Sequence, residues 1–202
     1  MISERLAPRR MTPISPLQRV LIAAAGSMRD RASYLFMLDT ACAQIARTVH
    51  EPLMAQIRLA WWRDGLQAET ERAAHRSPEM DVLRALEGFG QMRPHLVAMV
   101  DGWEYLILFD GTDPDAMLTA YAKGRGGGLF AAFGGAAQAD TTDGAVWALW
   151  DLAGHLGDEA LAQKAVAIAG EAAAQPRAMR MPRMLAMMAG VARHDVRRGR
   201  GA

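Results

Sequence analysis

An all-α, single-domain helical bundle is the fold this chain predicts, on three observations. Its 202 residues fit one domain, since domains run about 50 to 250 residues. Ala, Leu, Met, Arg and Gln, all good helix formers, are abundant, and at 51% hydrophobic the chain can bury a sizeable core. Runs of alternating β-branched residues, the mark of strands, are missing.

The elements follow from start and stop signals. Residues 1–14, with Pro8, Pro13 and Arg5, Arg9 and Arg10, read as a flexible lead-in to a domain over 15–196, and 197–202 as a basic tail. Pro16 opens a short helix, Leu17 to about Ala25, that Gly26-Ser27 ends. A second helix runs from near Arg29 to about Val49, with Leu35, Leu38, Cys42 and Ile45 on one stripe and Asp39 beside it. Glu51-Pro52 starts the third, because proline suits a first turn whose N–H groups have no intrahelical partner. This helix is expected to reach about Ala73. Its adjacent Trp61 and Trp62 point about 100° apart and so face different neighbours.

Polar residues around His75-Arg76-Ser77 make a break before a fourth helix, Pro78 to Phe89, and a fifth is expected from Pro94 to about Phe109. The oxygen-rich loop Asp110 to Asp115 is explained by capping: Thr112 or Asp113 accepts the orphan N–H groups and Pro114 takes the first helical position. The sixth helix, Pro114 to Ala137, carries Gly124, Gly126, Gly127 and Gly128 in its middle. Each costs up to about 1 kcal/mol against alanine, so the run means a break, a close approach of another helix, or a close ligand. It lacks the spacing of a phosphate-gripping loop. Helices over 144–156 and 157–174, a linker from Pro176 to Pro182, and a last helix from Arg183 to about Val196 complete the chain.

Composition narrows the function classes. A formal net charge of +1 leaves no global electrostatic footprint for nucleic acid. The single cysteine, Cys42, excludes an intrachain disulfide and suits a reducing compartment, where it reads as a buried, inert thiol. No run reaches the 18 to 20 apolar residues of a membrane span, and no apolar segment precedes a small-residue cleavage site. The expected location is the cytoplasm. Met179, Met181, Met184, Met187 and Met188, followed by Arg193, Arg197, Arg198 and Arg200, suggest either core filling, a binding surface, or attachment to the inner face of an anionic membrane.

The stretch from Arg47 to Leu66, with Glu51-Pro52-Leu53, Ile57-Arg58-Leu59 and Trp61-Trp62-Arg63-Asp64, resembles the squalene/phytoene synthase family, head-to-head prenyl transferases built as one all-α bundle. Arg31, Tyr34 and Leu35 upstream, and Asp101-Gly102-Trp103-Glu104, Tyr121 and the glycine run downstream, extend the resemblance over about residues 17–135. Such enzymes hold two diphosphates through Mg²⁺ between two facing aspartate-rich helices and ionise an allylic diphosphate in an apolar, aromatic-lined cavity. Counting back from Glu51-Pro52 puts the first aspartate motif on Ala43, Gln44 and Arg47, none of them a carboxylate. Near the second, only Asp151, Asp158 and Glu159 occur; Asp151 and Asp158 are two turns apart, about 10 Å along the axis and too far for one ion.

The resemblance therefore implies no catalytic residue and no resident cofactor. Substrate-binding candidates are Tyr34, Arg47, Arg58, Trp62, Arg63 and Tyr121: the arginines as readers of phosphate oxygens or as helix-surface partners, the aromatics as tunnel lining or as core. The expected function is a non-catalytic isoprenoid- or lipid-binding protein, or a partner in respiratory-complex assembly like the degenerate members of the family. The alternative is an active prenyl transferase whose Mg²⁺ is held by Asp39, Asp101 and Glu104, which requires those carboxylates to converge on one cavity. His50 reads as a capping or surface residue, and His155 and His194 lack metal-ligand spacing.

Overall fold

The computed structural model describes residues 15–49, 51–69, 77–134, 141–176 and 181–202, which form an all-α bundle. The lead-in 1–14, His50, His75 and Met179 lie outside the described residues.

Helix α1 (Pro16–Ala24) begins in a capping box. The Ser15 hydroxyl accepts from the Gln18 N–H, and the Gln18 amide oxygen accepts from the Ser15 N–H. Gly26, at φ 59°, turns the chain into α2 (Arg29–Thr48). Helix α3 (Pro52–Gln67) has Pro52 in its first turn, at the expected start. It stops short of Ala73, because Ala68 turns to ψ 128° while Arg84 Nη1 donates to the last-turn carbonyl of Gly65 at 2.9 Å. That arginine ends the short α4 (Pro78–Arg84), which Ser77 caps.

Helix α5 (Phe89–Ile107) starts five residues before the expected Pro94, at Gly88, whose φ of 76° reverses the chain. Pro94 thus sits inside the helix. It is tolerated because the carbonyl it leaves unpaired belongs to Gly90, an exposed residue in the first turn that water can reach. Helix α6 (Pro114–Tyr121), capped by Asp113, passes into a π-helical segment, Ala122–Gly127, and on into α7 (Gly128–Gly134). Helices α8 (Thr141–Ala153), α9 (Glu159–Ala173, capped by Asp158) and α10 (Arg183–Val196) follow.

The π segment is the centre of the packing. It lies between α5 and α8; α5 packs on α3 beyond it, and α8 on α9 and α10. The glycines make this approach possible. A Cβ on Gly126 would stand 2.0 Å from the carbonyl oxygen of Gly144 on α8, and one on Gly124 2.7 Å from Cα of Gly102 on α5. The run is neither a break nor a phosphate loop but the place where three helices touch backbone to backbone.

The C-terminal arginines are not a free tail. Arg193 is 6% exposed, pairs with the fully buried Asp143, and donates to the carbonyls of Ala173 and Gln175 at the end of α9. Gly199, at φ 71°, closes α10 in a Schellman turn, with Gly199 N–H on Val196 and Arg200 N–H on Asp195. Residues 197–202 then fold back on α8, where Ala202 N–H donates to the Trp150 carbonyl at 2.9 Å. Met184 and Met188 are core, while Met187 is on the surface. Among the described residues, no helix is long and apolar enough to cross a membrane.

Candidate functional site

Four helices and the π segment converge on one buried guanidinium. Arg125 is carried by the π segment, whose wider turn and glycine neighbours bring its backbone between α5 and α8; such segments recur at functional sites. Its edges are held by acids. Nε and Nη2 donate to Oδ1 and Oδ2 of Asp39 on α2, each at 2.8 Å, and Nη1 donates to Oδ2 of Asp151 on α8 and to the Tyr121 hydroxyl, each at 2.7 Å. Two indoles pack against it. The guanidinium carbon lies 4.5 Å from the Trp103 ring centre and 4.6 Å from that of Trp147, a double cation–π contact. The Trp103 indole N–H also donates to Asp39 at 2.9 Å.

The electrostatics follow from burial. Desolvation opposes the Arg125 charge, but Asp39, Tyr121 and Asp151 outweigh it and hold the guanidinium firmly protonated. Burial pushes the Tyr121 hydroxyl well above its ordinary range, so it stays neutral. Burial, followed by the neighbouring Asp39 charge, likewise raises the Cys42 thiol, which is therefore inert as expected.

Above this cluster lies a cavity of about 360 Å³. Its walls are apolar, with Leu17 and Leu21 from α1, Phe36 and Ala43 from α2, Leu106 from α5 and Leu152 from α8; Trp103, Tyr121, Arg125, Trp147 and Asp151 form the polar and aromatic end. Helix α1 covers it, tied to α2 by the Gln18 amide donating to the Thr40 hydroxyl at 3.1 Å. The exposed side chains of Arg47 and His155 stand on the lining as well.

Of the residues singled out from the sequence, the cavity brings together Tyr121, Arg47 and Asp39, with Ala43, Trp103, Asp151 and His155 beside them. The others lie elsewhere. Tyr34 lines a separate surface recess beside Arg31 and Glu87. Trp62 is fully buried, edge-to-face with Trp61 at 5.0 Å between ring centres, so the two indoles contact each other as well as their surroundings. Arg58 is half-buried on α3, and its Nε is buried with no hydrogen-bond partner among the described residues. Arg63 clamps α3 to α5 through Asp101, at 2.6 Å, and Glu104.

The proposed trio Asp39, Asp101 and Glu104 does not assemble. Asp39 is bonded to Arg125, whereas Asp101 and Glu104 serve Arg63, and among the described residues no group of three or more His, Cys, Asp or Glu is placed to hold a metal ion. Nor does the donor set at the cavity suit Mg²⁺. The two carboxylates on its lining, Asp39 and Asp151, both bond a guanidinium, and the side chains of Ala43 and Arg47 offer no oxygen. Asp158, the other acid of the second motif, is the cap of α9.

Arg125 and Trp147 are the site residues that the sequence reading did not single out, and Asp151 was named there only as a lone acid of the second motif. A signal existed for Arg125: Asp39 sits beside a stripe of buried apolar residues, and a carboxylate there needs a buried cation. No family model, no curated protein and no solved structure matches this chain.

Proposed function

We propose that this chain is a non-catalytic binding protein of squalene/phytoene synthase type, which takes an isoprenoid or similar lipid chain into the cavity between α1, α2, α5 and α8. One observation carries the reading: the cavity is lined by Ala43 and Arg47 from the stretch where the resemblance puts the first metal-binding motif and by Asp151 from the second, and a guanidinium ties Asp39 and Asp151 there. Its size suits a small ligand, since such pockets run about 300 to 1,000 Å³. Without a free carboxylate pair there is nothing to bridge a metal to a diphosphate leaving group. What remains is an apolar chamber with a rigid polar end.

The test is a titration with farnesyl- and geranylgeranyl-chain ligands, read by tryptophan emission, beside an assay of diphosphate release in Mg²⁺. Trp103 and Trp147 line the cavity and report directly on its filling. Binding without diphosphate release is expected, and Ala43→Trp, which fills the chamber, abolishes it. Mg²⁺-dependent release of diphosphate would overturn the reading in favour of a prenyl transferase.

A role in respiratory-complex assembly rests on a separate surface. Leu53 and Ile57 on α3, Tyr105 on α5 and Leu108 just past its end are exposed, and the two helices pack together. Apolar side chains grouped in this way suit a protein partner better than water.

A further inference from the structure

The charges at the polar end of the cavity do not balance, and the imbalance bears on the ligand's head group. Arg125 supplies one positive charge and Asp39 and Asp151 two negative ones. The two acids differ in what they have left. Both oxygens of Asp39 accept from Arg125, Oδ1 also accepts from Trp103, and the side chain is 2% exposed. Asp151 bonds Arg125 through Oδ2 alone. Among the described residues its Oδ1 accepts no hydrogen bond, and the side chain is 25% exposed on the cavity lining.

The cations offer an anion little in return. Arg125 uses Nε, both N–H groups of Nη1 and one of Nη2 on Asp39, Tyr121 and Asp151, and two indole rings pack against it with their centres 4.5 and 4.6 Å from its guanidinium carbon. Arg47 is exposed, where water and salt screen it. A negative head group reaching the polar end would meet the Asp151 carboxylate with no free buried cation to offset it. A hydrocarbon end placed there would strip water from Asp151 and replace it with nothing.

Resting on the lipid-binding reading above, we infer that the cavity is selective for an apolar molecule whose head group is a hydrogen-bond donor without negative charge, an ammonium ahead of a hydroxyl, seated on Oδ1 of Asp151. The ammonium neutralises the excess carboxylate and donates to it in one contact, a charge-assisted bond of the stronger kind. The hydroxyl supplies the bond without the charge.

The experiment compares three ligands with one tail: farnesylamine, farnesol and farnesyl diphosphate, titrated below their aggregation limits by tryptophan emission, in EDTA and again in Mg²⁺. On the unaltered chain the amine binds about tenfold tighter than the alcohol, and the diphosphate weakest, with or without Mg²⁺. Asp151→Asn brings the amine down to the alcohol, whereas Asp64→Asn, an exposed acid on α3 away from the lining, leaves the ranking in place. The ranking on the unaltered chain decides the matter even where a variant folds poorly. Diphosphate binding as tightly as the amine, or amine and alcohol binding alike, overturns the head-group inference and leaves the lipid-binding reading standing. No binding by any of the three overturns the lipid-binding reading itself.

Discussion

Asp39 and Arg125, 86 residues apart in sequence, face each other through two parallel hydrogen bonds of 2.8 Å in a part of the bundle where both are at least 95% buried. The pair fixes α2 to the π segment. Removing either partner strands the other charge away from water, which costs about 3 to 5 kcal/mol. Asp39→Ala and Arg125→Met should each lower the free energy of urea unfolding by that amount, and the double variant by less than their sum. Strict additivity would mean that the two charges do not depend on each other. The half-exposed Arg63–Asp101 contact is the contrast: Asp101→Asn should cost less than about 1 kcal/mol, because water and salt screen it.

Gly126 and Gly144 test the packing that places Arg125. Each carbonyl oxygen occupies the space a Cβ on the other would need, at 2.2 and 2.0 Å. No side chain can move aside there, since the obstacle is backbone. Gly126→Ala and Gly144→Ala should therefore separate α8 from the π segment, each losing at least about 2 kcal/mol in thermal or urea unfolding. Gly90→Ala, with nothing within 4 Å of the added carbon, should instead stabilise by about 0.5 to 1 kcal/mol through helix propensity.

These positions also show how much of the molecule could be read from its residues. Pro16, Pro52 and Pro114 start their helices where proline and its capping neighbours predict, because those signals are local and concern the first turn only. Pro94 misled for the same local reason: whether a proline opens a helix or sits inside one depends on whether water reaches the carbonyl four residues back, and that is set by packing. The glycine run signalled a close approach without naming what approaches. Gly102 and Gly144 supply the answer, and neither looks special in sequence. Arg125 was hidden in that run, among residues that read as a break, while the tryptophan-rich third helix drew the candidates Arg58, Trp62 and Arg63. Tyr121 was recognised, but its partner four residues on was not. The side-chain network joins α2, α5, α6, the π segment and α8, and no spacing rule connects residues so far apart in the chain.

Arg193 carries a prediction that separates a structural arginine from a surface one. It is the counter-charge of Asp143, which is fully buried at the start of α8, and it caps α9 through two carbonyls. Arg193→Ala should cost about 3 to 5 kcal/mol and open the corner between α8, α9 and α10 to limited proteolysis. Arg200→Ala, on an exposed residue, should change unfolding by less than about 0.5 kcal/mol. Deleting 193–202 should destabilise the bundle, so a loss of liposome binding on that deletion would report on folding rather than on attachment.

Cys42 and Tyr121 give the bundle an alkaline limit. Burial raises both groups, so the folded chain keeps protons that the unfolded chain releases. For an acid whose folded pKa is raised, stability is complete below the unfolded value and falls as pH rises past it, by about 1.4 kcal/mol per pH unit for each group. The decline should begin near pH 8.5 with the thiol and steepen near pH 10 with the phenol. Urea midpoints measured between pH 7 and 11 check the profile. Cys42→Ala removes the first segment of the slope and leaves the second, because alanine has no proton to release while Tyr121 stays in place beneath the cavity. A native thiol that reacts with a disulfide reagent at pH 8 as fast as it does in urea would contradict the burial on which the profile depends.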